Sequence, residues 1–183
     1  MYPKKLGGIG HIRAEHLRPG DCVSLDHYET RVKGRLRSSK GREREHEMFC
    51  GGTIFCDHAS GLINVHHQVT LGASDTLRSK LLFERMSANN GVHIKNYCGD
   101  NGVFASKDFR GELALQKQGL TLSGVGAHHQ NGVAERAIQT VTAHARIMML
   151  HAALRWPSTT DASYWPFALD YAAHLWNTTP KER

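Results

Sequence analysis

The sequence of 183 residues lacks several features that would place it in a special class of protein. It has no run approaching the roughly 18 apolar residues that a membrane-spanning helix needs. Residues 1–20 contain charges and glycines but no apolar stretch typical of a secretory signal. Internal repeats and low-complexity tracts are also missing. We therefore expect a protein that has no membrane partner, is not secreted, and is found in the cytoplasm or the nucleus.

Paired cysteines are absent as well. The four cysteines form no Cys-x-x-Cys pair: Cys22, Cys50, Cys56 and Cys98. His11 and His16 have a ligand-like spacing, but without paired cysteines they do not complete a structural zinc site. A reducing compartment keeps thiols free, and the apolar neighbours of these cysteines predict that they are buried in the core.

What the sequence does have is an ordinary globular composition, with 40% hydrophobic and 22% charged residues. Its length fits one compact domain with a hydrophobic core. We predict an N-terminal arm or linker over residues 1–20, which ends at a Pro-Gly turn. The domain itself is predicted over residues 21–183, with a basic hairpin insertion at about 29–47.

Positive charge is concentrated in one stretch. The formal net charge is +6, which is a mild argument for a polyanionic partner. Residues 31–44 include seven basic residues and a single acidic one, Glu43. Four of the basic residues occupy every second position, on one face if the stretch is a strand: Arg31, Lys33, Arg35 and Arg37. They either bind a phosphate backbone or form the solvated tip of a hairpin, and charge pattern alone does not separate the two.

Hydrophobic periodicity predicts an order of elements: three strands, a helix, a strand, a helix, a short strand and two helices. The predicted strands span 21–28, 49–57, 62–69, 92–97 and 120–122. The predicted helices span 74 or 75 to about 88, 106–118, 132–153 and 162–177. The first three strands need antiparallel hairpins and the fourth arrives by a helical crossover, which predicts an α/β layer fold around a mixed sheet. In the last helix, four residues at helical spacing are predicted to face the core: Trp165, Leu169, Ala172 and Trp176.

Three carboxylates lie where this order can bring distant segments together. Asp26 is predicted at the carboxyl end of the first strand, and Asp100 just past the fourth. If these strands are parallel neighbours, the two carboxylates meet at one edge of the sheet, where ligands of open α/β sheets bind. Glu135 lies in the first turn of the long helix and can point back at the pair. Carboxylates suit hard divalent cations, which can clamp the attacking and leaving oxygens of a phosphodiester.

Other polar residues compete for this assignment. Because a lone Asp is usually a cap or turn residue, spacing alone does not make any of the three carboxylates catalytic. Asp57 ends the second predicted strand and is expected to hydrogen-bond the backbone that follows it. His27 and His58 lie beside acidic residues, but a hard-cation site prefers oxygen ligands.

Five stretches resemble the catalytic core of copia-type retrotransposon integrases, retroviral-like DDE enzymes. The most specific is the Gln-Asn-Gly-Val-Ala-Glu-Arg signature within HHQNGVAERAIQTV, residues 128–141. The Asp-Asn-Gly segment lies within YCGDNGVFASKDF, residues 97–109. The remaining matches are VSLDHY at 23–28, IFCDHASGLINV at 54–65 and WPFALDYAAHLWNTTP at 165–180, so that the five follow the family order along the chain.

The resemblance implies a ribonuclease H-like fold, with a five-stranded mixed sheet flanked by helices. It also implies that Asp26, Asp100 and Glu135 are catalytic residues and ligands of two Mg²⁺ or Mn²⁺ ions. Between Asp100 and Glu135 lie 34 residues, one fewer than the family's usual spacing, and a loop can absorb one deletion. The Cys98-Gly99 pair directly before Asp100 is atypical of the family.

The implied reaction is DNA 3′-end processing followed by strand transfer, which inserts retrotransposon DNA. The implied partners are element-end and target DNA, further copies in a homo-oligomer, and other parts of a Pol polyprotein. The enzyme would act in the nucleus after a cytoplasmic stage. The alternative is a catalytically silent fragment that serves only as a DNA-binding or assembly module. A ribonuclease H or a cut-and-paste transposase is disfavoured by the specific signature.

Residues at the start of the long predicted helix are candidate nucleic-acid contacts. His128 and His129 either contact phosphate or are solvated loop residues. Gln130 is a candidate DNA contact. Asn131 either contacts DNA or only caps the helix, and its position favours the cap. Arg136 is either a phosphate contact or a member of a surface ion pair.

Overall fold

A five-stranded sheet organises the protein. The computed structural model describes residues 17–36, 44–123 and 131–180. The strands are β1 (Val23–Gly34), β2 (Phe49–Asp57), β3 (Ile63–Gln68), β4 (Asn96–Gly99) and β5 (Gly119–Leu122). The helices are α1 (Ala73–Asn89), α2 (Lys107–Leu115), α3 (Gly132–Arg155) and α4 (Trp165–Thr178).

The sheet is mixed, as predicted. Its strand order is β3-β2-β1-β4-β5, with β1 at the centre. Strands β1, β2 and β3 pair antiparallel as consecutive hairpins. Strand β4 arrives after helix α1 and pairs parallel to β1, and β5 pairs parallel to β4 after helix α2. This is the topology expected when a helical crossover separates the strands.

Helices cover both faces of the sheet. Side chains alternate along each strand, so each strand contributes to both helical layers. On one face, Val23 and Leu25 of β1 pack in a cluster with Phe83 of α1 and Phe109 of α2. On the other face, Tyr28 lies in a second cluster to which α3 and α4 contribute. Burying each large apolar side chain contributes roughly 1.5–3 kcal/mol to folding, so the two clusters hold the three layers together.

The core-facing residues predicted in the last helix are confirmed. Trp165, Leu169 and Ala172 are buried, and Trp176 packs partly buried against the same cluster. Pro166 lies in the first turn of α4, where its missing N–H does not interrupt a helical hydrogen bond.

The first strand is longer than predicted. β1 continues past Tyr28 to Gly34, and its pairing with β2 resumes at Gly34 opposite Phe49 after an irregularity in register. Gly34 packs against Trp165, whose ring a Cβ at position 34 would overlap. This extension falls in the predicted basic hairpin, and the packing of Gly34 against Trp165 joins its first strand to β1 as one continuous strand. As a consequence, Asp26 lies inside β1 and not at its carboxyl end.

Several other boundaries also differ from the prediction. Helix α1 has Gly72 at its N-cap position, in place of Ser74 or Asp75, and Asp75 in its first turn accepts hydrogen bonds from the backbone N–H and the hydroxyl of Thr70. Helix α2 ends at Leu115, since a positive φ of 56° at Lys117 is incompatible with a right-handed helix. Strand β4 begins at residue 96, four positions later than predicted.

The prediction that all cysteines are buried is wrong. Only Cys56 is buried, while Cys22, Cys50 and Cys98 are partly exposed free thiols. Of the predicted arm, residues 17–20 lie in the described part of the chain, and residues 37–43 of the basic insertion lie outside it. No helix in the described ranges is long and apolar enough to cross a bilayer.

Candidate metal and nucleic-acid site

The register of β1 and β4 places Asp26, within β1, level with Asp100, directly after β4. In the parallel β1–β4 pair, Ser24 lies opposite Cys98. Asp26 is two residues beyond Ser24, and Asp100 is two residues beyond Cys98. The condition on which the sequence analysis depended, that β1 and β4 are parallel neighbours, is therefore confirmed. Each carboxylate lies two residues beyond the same register pair.

A tight turn holds Asp100 where β4 ends. Its Oδ1 accepts a hydrogen bond from the backbone N–H of Gly102 at 3.2 Å. A Cβ at position 102 would lie 3.3 Å from that same oxygen, so glycine leaves room for the carboxylate. The side-chain amide of Asn101 donates to the carbonyl of Ser123 at 2.7 Å and ties the turn to the end of β5. The Asp-Asn-Gly segment thus fixes the carboxylate locally.

Asp26 lies on the face of the sheet that α3 covers. It is partly exposed, and its Oδ1 accepts a hydrogen bond from the backbone N–H of His27 at 2.8 Å. Alternation places Asp26 on the same face as Tyr28, which packs in the cluster shared with α3. The side chain of Asp26 is therefore directed towards the helix that carries the third carboxylate.

Asn131 anchors the start of that helix to β1. It occupies the N-cap position of α3, as predicted, but its side chain makes no capping hydrogen bond. Instead its Nδ2 donates to the backbone carbonyl of Leu25 at 3.1 Å. The expected side-chain cap is thus wrong, because the amide serves the neighbouring strand. Glu135 follows four residues later, on the same helical face one turn along, and is partly exposed.

The charge of Asp100 acts on His27. Burial lowers the pKa of His27, and the nearby negative charge of Asp100 partly opposes that effect. The Nε2 of His27 lies 2.9 Å from the hydroxyl of Thr76, and its ring packs on Phe104 with centroids 4.6 Å apart. These contacts give His27 a packing role beside the site.

The donor set suits a hard cation, although the three carboxylates do not form a closed cluster. In the described ranges, no group of three or more His, Cys, Asp or Glu side chains is close enough to hold a metal ion. Oxygen ligands are nevertheless what Mg²⁺ requires, and it usually keeps several waters. The Oδ1 of Asn131 is buried and accepts no hydrogen bond from the described residues. A buried acceptor of this kind calls for a donor such as an ordered water.

The four basic residues at alternate positions do not share one environment. Arg31 and Lys33 lie on the strand two residues apart, with Arg31 exposed and Lys33 partly exposed. Arg35 lies just past the strand, and its guanidinium donates to the hydroxyl of Tyr164 at 3.0 Å and stacks over that ring. Arg35 thus has an intramolecular role. Arg37 lies outside the described residues.

The candidate contacts around α3 are only partly described. Arg136 is exposed, and its Nε donates to the carbonyl of Gly132 at 3.1 Å, within its own helix. His128, His129 and Gln130 lie outside the described residues.

The alternative role predicted for Asp57 is confirmed. Its Oδ2 accepts hydrogen bonds from the backbone N–H and the hydroxyl of Ser60 at 2.8 and 2.7 Å. Its Oδ1 accepts from the backbone N–H of Gly20 at 2.8 Å. His58, next to it, lies with Nε2 2.8 Å from the hydroxyl of Ser24. Both residues are occupied in holding the turn after β2.

The sequence analysis did not predict two features of this region. They are the Asn131–Leu25 hydrogen bond and the close approach of Cys22 to Cys98. The first has no local signal, because it joins residues that are 106 positions apart. The second follows from the parallel pairing of β1 and β4 once the register is fixed.

Comparison with solved structures gives the fold. The HTLV-2 integrase catalytic core domain in complex with magnesium, in its dimeric form, matches with a TM-score of 0.60 and 14% identity, covering 90% of this chain and 90% of that chain. The BIV integrase catalytic core domain matches with a TM-score of 0.60 and 15% identity, covering 90% and 88%. A chain of the simian T-cell lymphotropic virus intasome, in complex with PP2A regulatory subunit B56 gamma, matches with a TM-score of 0.69 and 17% identity. That match covers 95% of this chain and 54% of the other.

The chain has the fold of a retroviral integrase catalytic core. The predicted α/β, ribonuclease H-like fold with a five-stranded mixed sheet and flanking helices is therefore confirmed. At the level of sequence, no family model and no curated protein matches.

Proposed function

We propose that this protein is an integrase catalytic core of the copia type, which carries out metal-dependent DNA 3′-end processing and strand transfer to insert retrotransposon DNA. The observation that carries the proposal is the matched placement of Asp26 in β1 and Asp100 after β4, on parallel neighbouring strands. The anchoring of α3 beside Asp26 through Asn131 supports Glu135 as the third acidic residue.

Asp26, Asp100 and Glu135 would hold two Mg²⁺ or Mn²⁺ ions. When bound, such ions supply charge neutralisation at the phosphodiester and lower the pKa of an attacking water. A neighbour in the comparison is an integrase core solved with magnesium, which supports a divalent ion in this fold.

The protein's own contribution is positioning. The Asp-Asn-Gly turn keeps the Asp100 carboxylate at the end of β4, and the Asn131 amide holds the first turn of α3 against β1. Exposed positive charge at Arg31 and partly exposed charge at Lys33 would attract the DNA backbone towards this end of the sheet. No side-chain nucleophile is needed, because positioning and electrostatic stabilisation suffice for such a transfer.

The wider setting is also a proposal. We infer that residues 21–183 act as the core and residues 1–20 as an arm, within a Pol polyprotein product that works in the nucleus. Element-end and target DNA are the proposed partners, together with further copies of the chain. The dimeric and trimeric HTLV-2 cores and the simian T-cell lymphotropic virus intasome support an oligomer on DNA.

A catalytically silent module that binds DNA or assists assembly is the second candidate. The observation in its favour is the absence, in the described ranges, of a closed group of three potential metal ligands. This candidate keeps the fold and the basic surface but needs no metal-dependent chemistry.

Disintegration of a branched DNA substrate with Mg²⁺ or Mn²⁺ separates the two candidates. We expect the parent chain to rejoin strands, and Asp26→Asn, Asp100→Asn and Glu135→Gln each to lower the rate by at least about 100-fold, the scale of losing one preorganised electrostatic group. Asp108→Asn, at an exposed position in the first turn of α2, is the matched control and should retain the parental rate. A folded, DNA-binding parent without strand rejoining would instead identify the silent module.

A further inference from the structure

Two thiols meet at the junction of β1 and β4. The Sγ atoms of Cys22 and Cys98 lie 3.4 Å apart, although the residues are 76 positions apart in the chain. The register explains the approach: Ser24 pairs with Cys98, and Cys22, directly before β1, lies two residues before Ser24 and so on the same side of the sheet. The fold itself therefore brings the pair together.

Both cysteines of the pair lie partly at the surface. Cys22 and Cys98 are each partly exposed, whereas Cys56 on the neighbouring strand is buried. Thiols that are buried in apolar surroundings are inert, while accessible thiols exchange with disulfides in solution. Access and proximity thus coincide at this pair.

The junction between β1 and β4 is short. Two register pairs join these strands, Val23 with Tyr97 and Ser24 with Cys98. Outside them, Asn96 donates from its side chain to the carbonyl of Asp21 at 2.9 Å, and Lys95 forms an ion pair with the carboxylate of Asp21 at 2.6 Å. A covalent link at Cys22 and Cys98 would reinforce a narrow connection between the two halves of the sheet.

We propose that Cys22 and Cys98 form a reversible redox pair that closes to an intramolecular disulfide when a small disulfide such as oxidised glutathione is present. One protein sulfur attacks the glutathione disulfide and forms a mixed disulfide, which releases one molecule of reduced glutathione. The second protein sulfur then displaces the remaining glutathione and closes the protein disulfide. The two protein thiols together lose two electrons and two protons. The glutathione disulfide takes up these electrons and protons and becomes two molecules of reduced glutathione.

The closed disulfide would join two adjacent strands at residues that are 76 positions apart in the chain. Cross-links that close long loops restrict the unfolded chain strongly and so stabilise the folded state. We therefore expect the oxidised protein to unfold at a higher temperature than the reduced protein. This inference rests on strand register and thiol geometry and is independent of the proposed function.

The test treats the native, reduced chain with oxidised glutathione, blocks the remaining thiols, and maps cross-linked peptides by mass spectrometry without reduction. The expected product is a cross-link between the peptides of Cys22 and Cys98, reversed by dithiothreitol, in a protein whose thermal midpoint has risen. Cys22→Ser and Cys98→Ser should each carry glutathione on the remaining member of the pair. Cys50→Ser, which changes a partly exposed cysteine on β2, should still form the cross-link.

Three results would overturn the proposal: separate glutathione adducts on Cys22 and Cys98 of the unmutated protein, a cross-link that involves Cys50 or Cys56, or no reaction at all. The peptide map of the unmutated protein decides among them without any variant, so a serine substitution that impairs folding does not affect the conclusion.

Discussion

At the scale of single residues, Asn131 links the start of α3 to β1 next to Asp26. Its side chain is 4% exposed and donates to the carbonyl of Leu25, next to Asp26. Asn131→Ala leaves that carbonyl without its donor and should lower the free energy of unfolding by about 1–3 kcal/mol. Asn131→Asp should cost more, because a carboxylate would then face the carbonyl oxygen in a buried position. Urea denaturation followed by circular dichroism measures both changes.

Asn89 is the matched control for this substitution. It lies exposed at the end of α1, and Asn89→Ala should change the free energy of unfolding by less than about 0.5 kcal/mol. Equal effects at positions 89 and 131 would show that the hydrogen bond to Leu25 contributes nothing specific, and that α3 is held to β1 by its apolar contacts alone.

At the scale of secondary-structure elements, the proposed contact with DNA can be tested on the second half of β1. Arg31 and Lys33 lie two residues apart on it, and neither is needed for the core. Replacing both by Ala should weaken binding to duplex DNA and reduce the slope of log affinity against log salt by roughly 2, about 0.9 for each lost phosphate contact. Fluorescence anisotropy at several salt concentrations measures this slope.

The control for that experiment removes the same charge elsewhere. Lys107 and Arg110 are exposed on α2, and the double Ala variant should leave the salt slope within experimental error of the parent. A similar loss from both double variants would mean that DNA responds to net charge and not to the extension of β1.

Element types and order could be predicted from the sequence, whereas several boundaries could not. Alternation and helical spacing are local signals, and they identified β2 and the buried face of α4 correctly. The end of β1 depends on Gly34 packing against Trp165, which is 131 positions further along the chain. Local patterns hold no information about such a contact.

The candidate site was predictable to a similar extent. The parallel pairing that aligns Asp26 with Asp100 entered the prediction only as a condition, because a helical crossover permits parallel strands but does not make them neighbours. The anchoring of Asn131 to Leu25 could not be foreseen, because a residue at an N-cap position normally bonds within its own helix. Here the side-chain amide instead donates a hydrogen bond to a backbone carbonyl of β1.

At the scale of the whole molecule, the position of β1 explains why the candidate site lies where it does. The chain enters the sheet at its centre, adds two strands on one side by hairpins, and then crosses over to add two on the other. The central strand therefore contacts both halves of the sheet and both helical layers. Asp26 lies on the face of β1 that α3 covers, two residues past the last register pair with β4 and next to the Leu25 carbonyl that Asn131 contacts, so the end of β4 and the start of α3 both approach it.

The stability of the whole fold should also depend on pH through His58. Burial lowers its pKa, and the charge of Asp57 opposes that effect only in part. In the unfolded chain a histidine takes up a proton near pH 6.5, while the folded protein binds this proton only at lower pH. Below about pH 6.5 the unfolded state therefore holds more protons than the folded state, and linkage requires the free energy of unfolding to fall as the pH decreases.

The variant His58→Gln removes this contribution, and its free energy of unfolding should fall less between pH 7 and pH 5 than that of the parent. Urea denaturation at pH 7, 6 and 5 measures the difference, and His27, which is also partly buried, is retained in both proteins. His144→Gln, at an exposed position on α3, should follow the parental pH dependence. If the His58→Gln and parental curves ran parallel, the hydrogen-bonded imidazole beside Ser24 would titrate as freely in the folded protein as in the unfolded chain, and the acid sensitivity of the fold would have to arise elsewhere.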